Sequence, residues 1–139
     1  MMIKSRDASI RLKRFQVDEK RRKLAQIDTM ISEFKRMATD LEREIETEEA
    51  RAGITDRGHF AYPTYARAAI QRRDNLLQSA EDLGRQLDEA RGELEGALEE
   101  LKKFEALDDR EQVKERAMEA VREQGEFGRG SVGMQLAGA

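Results

Sequence analysis

Cysteine and tryptophan are absent from this chain, proline and histidine occur once each, and aromatics are scarce at 5%. Without cysteine there is neither a disulfide framework nor thiolate chemistry. A single histidine leaves no imidazole pair to hold a metal ion. No apolar run approaches the roughly 18 residues of a membrane span. The N-terminal MMIKSRDASIRLKRF has no apolar stretch of the kind a secretory signal needs. A cytoplasmic location is therefore expected. Apolar residues make up 38% of the 139 positions, thin material for a compact core but ample for one narrow seam.

Charge is abundant: 40% of residues are Asp, Glu, Lys or Arg, against about 25% in an ordinary domain. The two signs nearly cancel, leaving a net charge of −3. That balance, with regularly recurring apolar residues, argues against disorder. It also gives no whole-chain attraction toward nucleic acid.

The apolar residues recur by heptads. One series runs Ile10, Val17, Leu24, Ile31, Ala38, Ile45, Ala52; its companion is Lys13, Lys20, Ile27, Phe34, Leu41, Glu48. Alternating steps of three and four keep one stripe of a helix against a partner. Asp7–Arg11, Asp18–Arg22 and Glu19–Lys23 have the i,i+4 spacing that supports a helix from outside. A first arm over about 5–52 is expected to stop at Gly53, a residue tolerant of left-handed backbone.

Residues 53–65, GITDRGHFAYPTY, break the pattern and form the bend. Pro63 suits the start of a second helix. The second arm, about 64–123, carries its own seam: Ala66, Ala69, Arg73, Leu76, Ala80, Leu83, Leu87, Ala90, Leu94, Ala97, Leu101 and Phe104. Beyond that, Leu107, Val113, Ala117 and Val121 fall out of register. The Gly-rich residues 125–139 have no period and read as a mobile tail. Residues 1–124 thus form one domain.

Folded antiparallel about the bend, facing seam residues have numbers summing to roughly 117–118. This sets Leu41 against Leu76, Ala38 against Ala80, Phe34 against Leu83, Ile31 against Leu87, Leu24 against Leu94 and Val17 against Leu101. Charge agrees independently. Acidic Asp40–Glu49 falls beside Arg67, Arg72 and Arg73. Basic Arg11–Lys23 falls beside Glu95, Glu99, Glu100, Glu105, Asp108 and Asp109. A parallel dimer would set each acidic block against its own copy. The fold class expected is all-α, an antiparallel two-helix coiled-coil hairpin. Glu48 and Arg73 fall on adjacent seam layers and are expected to pair as a structural polar seam, fixing register more than adding stability.

No catalytic constellation emerges. His59 has Asp56 near it in sequence but no second imidazole and no thiol, so it reads as a loop residue. The glutamates of EREIETEE and of 88–100 recur on a solvated face with no nucleophile beside them. No phosphate-binding glycine loop is present. The chain reads as a non-enzyme with no catalytic residues, cofactor, metal site or small-molecule substrate.

Two stretches stand out as contact surfaces. The first is basic: Arg11, Lys13, Arg14, Lys20, Arg21, Arg22 and Lys23. It could meet a protein, serve as a solvated face paired with the second arm, or bind DNA or RNA through phosphates. Lys13 and Lys20 occupy seam positions where apolar residues would pack better, which argues for more than a solvated face; protein contact is favoured and nucleic acid least favoured. The second is aromatic: Phe60, Tyr62 and Tyr65 either cap the coil end or are gripped by a partner, since aromatics dominate interface hot spots.

The non-repetitive pieces RLKRFQVDEKRRK (11–23) and FAYPTYA (60–66) lie within SRDASIRLKRFQVDEKRRKLAQID and HFAYPTYARAAIQRRDNL. Together they resemble the flagellar export protein FliJ family, in particular its alphaproteobacterial members, over roughly residues 3–123. The Gly-rich segment after Gln124 has no counterpart in that resemblance. It implies a small cytoplasmic antiparallel coiled coil of the flagellar type III export apparatus, associated peripherally with the inner membrane through it. Such proteins resemble the stalk subunit of rotary ATPases and enter the pore of the hexameric export ATPase. They promote assembly of that ring, bind the cytoplasmic domain of the membrane export gate, and act in cycling export chaperones. On that expectation the basic stretch meets the ATPase ring and the bend aromatics meet the gate. A structural homodimeric coiled coil and a nucleic-acid-binding coiled coil are the alternatives.

Overall fold

The computed structural model describes residues 2–137, with side-chain surroundings for residues 5–126. Two helices, α1 (Met2–Ala52) and α2 (Thr64–Ala137), are its regular elements. They pack against each other as an all-α helical hairpin. Both arms are therefore helical where the heptads run. α2 nevertheless extends beyond the expected end near 123 to Ala137, so the backbone does not depart from helix at residue 125 as expected. Glycine stops a helix by turning left-handed, and among the described residues only Gly53 has a positive φ, at 68°. Residues 138–139 lie outside the described residues.

The described residues fall into two compact units, one spanning Gln16–Ala97 and one combining residues up to Phe15 with those from Leu98 onward. In the first unit the two helices run antiparallel about the bend. Ile27, Leu83, Leu87 and Ala90 form a buried cluster, with Leu24, Ile31 and Phe34 packed against it. Ala38, Ile45, Ala66, Ala69 and Ala80 are buried farther along the same seam. Leu41, Leu76 and Leu94 are half-buried on it. Every one of these is a position the heptads assign inward. Ala52 is the exception: it is exposed at the last residue of α1, where the chain leaves the partner helix.

Both ends of the bend are built by local hydrogen bonds. The Gly53 amide donates to the Glu49 carbonyl at 2.9 Å, closing α1 with a left-handed residue. Pro63 sits just before α2 rather than within its first turn. Its carbonyl accepts the first helical bond, from the Arg67 amide at 3.1 Å. Thr29, Thr39 and Thr47, on the outer face of α1, return their hydroxyls to carbonyls one turn back, which satisfies a polar group without a partner helix.

The second unit follows the same antiparallel sense with a more polar interior. Ile10 is buried, while Lys13, Leu101 and Phe104 are half-buried. Arg6 reaches Asp108 at 3.5 Å and Glu115 at 2.7 Å. The out-of-register residues Leu107, Val113 and Val121 are exposed.

Candidate functional site

The bend is an ordered pair of turns. The Asp56 side chain accepts from the Gly58 amide at 2.9 Å, and its carbonyl accepts from the His59 amide at 3.1 Å. His59 then accepts twice, through Nδ1 from the Ala61 amide at 3.0 Å and through its carbonyl from the Tyr62 amide at 3.1 Å. The one imidazole is thus a turn-forming residue. Its ring stacks on Phe60, centroids 4.7 Å apart.

The three aromatics proposed from sequence do not act together. Phe60 is 95% exposed and Tyr65 is 55% exposed, but Tyr62 is 4% exposed. The Tyr62 hydroxyl donates to Glu49 at 2.7 Å, and Arg67 lies over its ring at 5.7 Å. Burial, reinforced by the hydrogen bond to Glu49, raises the Tyr62 phenol above its ordinary value of 10.0. Tyr62 therefore covers the last layer of the seam. Tyr65 donates to Glu44 at 2.7 Å while exposing its ring, and that carboxylate raises its phenol too. Phe60 and Tyr65 remain as the displayed residues.

The Glu48–Arg73 pair does not form. Glu48 is bridged by Arg51 at 3.2 Å, on its own helix. Arg73 turns to Asp74 at 3.0 Å and across to Glu42 at 3.8 Å. Both are half-buried seam residues. Glu48 stands nearly a full turn beyond the position facing Arg73, roughly 5 Å along the axis. The Arg73 guanidinium leans out to carboxylates at the solvent edge.

The basic stretch divides in the same way. In the second unit, Lys13 bridges Glu100 at 2.7 Å and lies over the Phe104 ring at 5.2 Å. Arg14 approaches Glu105 at 3.7 Å. In the first unit, Lys20 and Lys23 converge on Glu93 at 3.1 and 3.4 Å. Those hydrogen bonds hold the Glu93 carboxyl below the usual 4.5, Lys20 contributing most, and Lys13 does the same for Glu100. The seam lysines Lys13 and Lys20 accordingly bridge the two helices. Among the described residues, no ion pair engages Arg11, Arg21 or Arg22, all exposed. The expected i,i+4 pairs from Asp7, Asp18 and Glu19 do not close among the described residues; in the Glu19–Lys23 pair, Lys23 is drawn across to Glu93 instead.

Sequence reasoning missed Arg6, Glu93 and Glu115. Arg6 lies four positions before Ile10 on the seam series, a spacing that could have found it. No group of three metal-ligating side chains occurs among the described residues, and no helix there is long and apolar enough to cross a membrane.

The fold and these surfaces define a helical hairpin whose accessible chemistry is ion-paired helix faces, one aromatic bend and exposed apolar side chains. No family model, curated protein or solved structure matches the chain.

Proposed function

We propose that this protein is a non-enzymatic component of a flagellar type III export apparatus, binding the export ATPase ring and the cytoplasmic domain of the export gate. A role in cycling export chaperones belongs to the same reading, as does a cytoplasmic location at the inner membrane. The observation that carries it is the antiparallel pair of long helices closed by an ordered bend that displays Phe60 and Tyr65. The resemblance of residues 11–23 and 60–66 to the FliJ family supports it from the sequence side. On this reading the bend meets the gate and the second unit meets the ring. A nucleic-acid arm has less support, because Lys13, Lys20 and Lys23 spend their charge on Glu100 and Glu93.

The experiment is direct binding of the purified full chain to the export ATPase and, separately, to the gate domain, with ATP hydrolysis followed in parallel. Association with either and faster hydrolysis are the expected results. A chain that binds neither, and leaves hydrolysis unchanged, ends the proposal.

A further inference from the structure

The first unit, Gln16–Ala97, carries an open groove of about 680 Å³ on one side of its helix pair, floored by Ile31, Ala80 and Leu87. Leu77, 43% exposed, stands in its wall. Gly84 gives the α2 side of the wall no side chain. A Cβ built at Gly84 meets nothing within 4 Å, so nothing inside the chain requires glycine there. A glycine inside a helix nevertheless costs stability relative to alanine. What it offers is close approach by a backbone from outside.

The charges beside the groove have an order. Arg21, Asp28, Lys35 and Glu42 are exposed and recur every seven residues, so all four follow the groove side of α1 that Asp28 and Lys35 line. Their signs alternate over about 30 Å at 1.5 Å per residue. Among the described residues no ion pair engages Arg21, Asp28 or Lys35, and Glu42 has only the 3.8 Å approach of Arg73. On α2, Glu81 is likewise without an ion pair there, and Arg91 is bridged only along its own helix, by Asp88 at 3.5 Å.

In reverse order the α1 series is its own complement. A two-fold axis crossing α1 between Ile31 and Ser32 sets Arg21 against Glu42 of a second copy and Asp28 against its Lys35, and each contact occurs twice. The hairpin register, with Ile31 packed on the cluster that holds Leu87, puts Gln86 at that level of α2. Gln86 lies midway between Glu81 and Arg91, so the same axis sets these two together as well. The parallel alternative lays α1 on the second copy's α2. It brings Asp28 beside Asp88 and Glu42 beside Asp74, like charge on like. A partner of unrelated sequence would need alternating signs at the same spacing, whereas a second copy has them by symmetry.

We infer that the groove side of the first unit is a self-association surface, on which a second copy of this chain docks antiparallel about an axis near Ile31. Covering the groove supplies the attraction. The exposed charges fix orientation and register, since such pairs add little energy each. The inference does not depend on ring or gate binding.

The test follows the mass of the purified full chain by sedimentation equilibrium at low salt, with no other protein present. The wild type is expected to dimerise as concentration rises, and to do so less at high salt. Asp28→Lys and Lys35→Asp each set like charges together twice, and each should weaken dimerisation at least about tenfold. The two variants mixed, and the double variant carrying both changes, restore opposite charges and should dimerise like the wild type. Gly84→Gln should weaken dimerisation while raising the chain's own helix stability, a split that no role inside one copy produces. A wild type that stays monomeric to millimolar concentration overturns the inference. Undiminished dimerisation of either single reversal, or of Gly84→Gln, assigns the contact to another face and overturns it too. Single reversals that weaken the dimer, with no recovery in the mixture or the double variant, overturn the antiparallel two-fold.

Discussion

Tyr62 and Glu49 meet at 2.7 Å, phenol to carboxylate, and this bond ties the bend to the last full turn of α1. The Tyr62 ring is buried while its hydroxyl reaches the polar edge, the usual compromise of a tyrosine at the end of an apolar seam. Tyr62→Ala is expected to lower the melting temperature clearly, and Tyr62→Phe by less, since it keeps the ring. Phe60→Ala should leave melting unchanged, because a side chain 95% exposed has little packing to lose. If the gate is a partner, Phe60→Ala and Tyr65→Ala should weaken gate binding without altering helix content. Thermal melts beside gate titrations separate the two roles.

The seam itself should be sensitive at Ile27. This residue is 7% exposed and sits at the centre of the cluster with Leu83, Leu87 and Ala90. Ile27→Ala is expected to cost about 2–5 kcal/mol, near the low end if the thin seam collapses around the lost methyls. Denaturant unfolding at constant m-value measures it. The exposed Met30, three residues on, should tolerate Ala with little change.

Glu48 and Arg73 supply a test of register. They share no contact, so a double-mutant cycle should give a coupling energy below about 0.5 kcal/mol. A coupling well above that value would mean the pair forms in solution and the register shifts by a turn.

What the sequence made legible was whatever repeats. Heptad phase located the buried residues of both units, including the small ones, Ala38, Ala66, Ala69, Ala80 and Ala90. It also showed Leu107, Val113 and Val121 falling out of the earlier register, and they are exposed. Individual ion pairs were not legible, because a long side chain can reach several carboxylates within a turn. Lys20 chose Glu93, and Arg73 chose Glu42 and Asp74, by such fine geometry. The roles within FAYPTY were equally hidden, since a loop has no period to say that Tyr62 turns in while Phe60 turns out. The course of α2 past residue 125 is not legible, because glycine content alone does not say whether a helix ends.

The carboxyls of Glu93 and Glu100 imply a defined acid limb. Their folded pKa lies below the ordinary 4.5, lowered by hydrogen bonds from Lys20 and Lys23 and from Lys13. A depressed carboxyl contributes stability that is present above its unfolded pKa and lost as pH falls through the folded value. Melting temperature should therefore fall as pH drops below about 4.5. Glu93→Gln and Glu100→Gln together should flatten that limb. Tyr62 and Tyr65 work in the opposite direction at high pH. Their raised phenols contribute stability below the unfolded value of 10.0, and it is lost as pH rises through the folded value. A melting-temperature profile from pH 3 to about 11 reads both limbs.

Glycine substitutions should split by backbone conformation. Gly53 takes φ 68° at the end of α1, where its amide closes on Glu49. A Cβ there would meet no atom within 4 Å, so any penalty is conformational and not steric crowding by neighbours. Gly53→Ala is expected to destabilise by about 1–2 kcal/mol, and Gly53→Asn by less, since asparagine enters that region more readily. Gly92 and Gly96 lie in the middle of α2, exposed, with φ negative and nothing within 4 Å of a built Cβ. There the same substitution only restricts the unfolded chain and favours helix. Gly92→Ala and Gly96→Ala should each stabilise by about 0.5–1 kcal/mol. Chemical denaturation of the four single variants checks the sign at each position. Stabilisation by Gly53→Ala would mean that α1 does not end in a left-handed residue. A loss at Gly92 or Gly96 would mean that something packs against α2 there too closely for a methyl group.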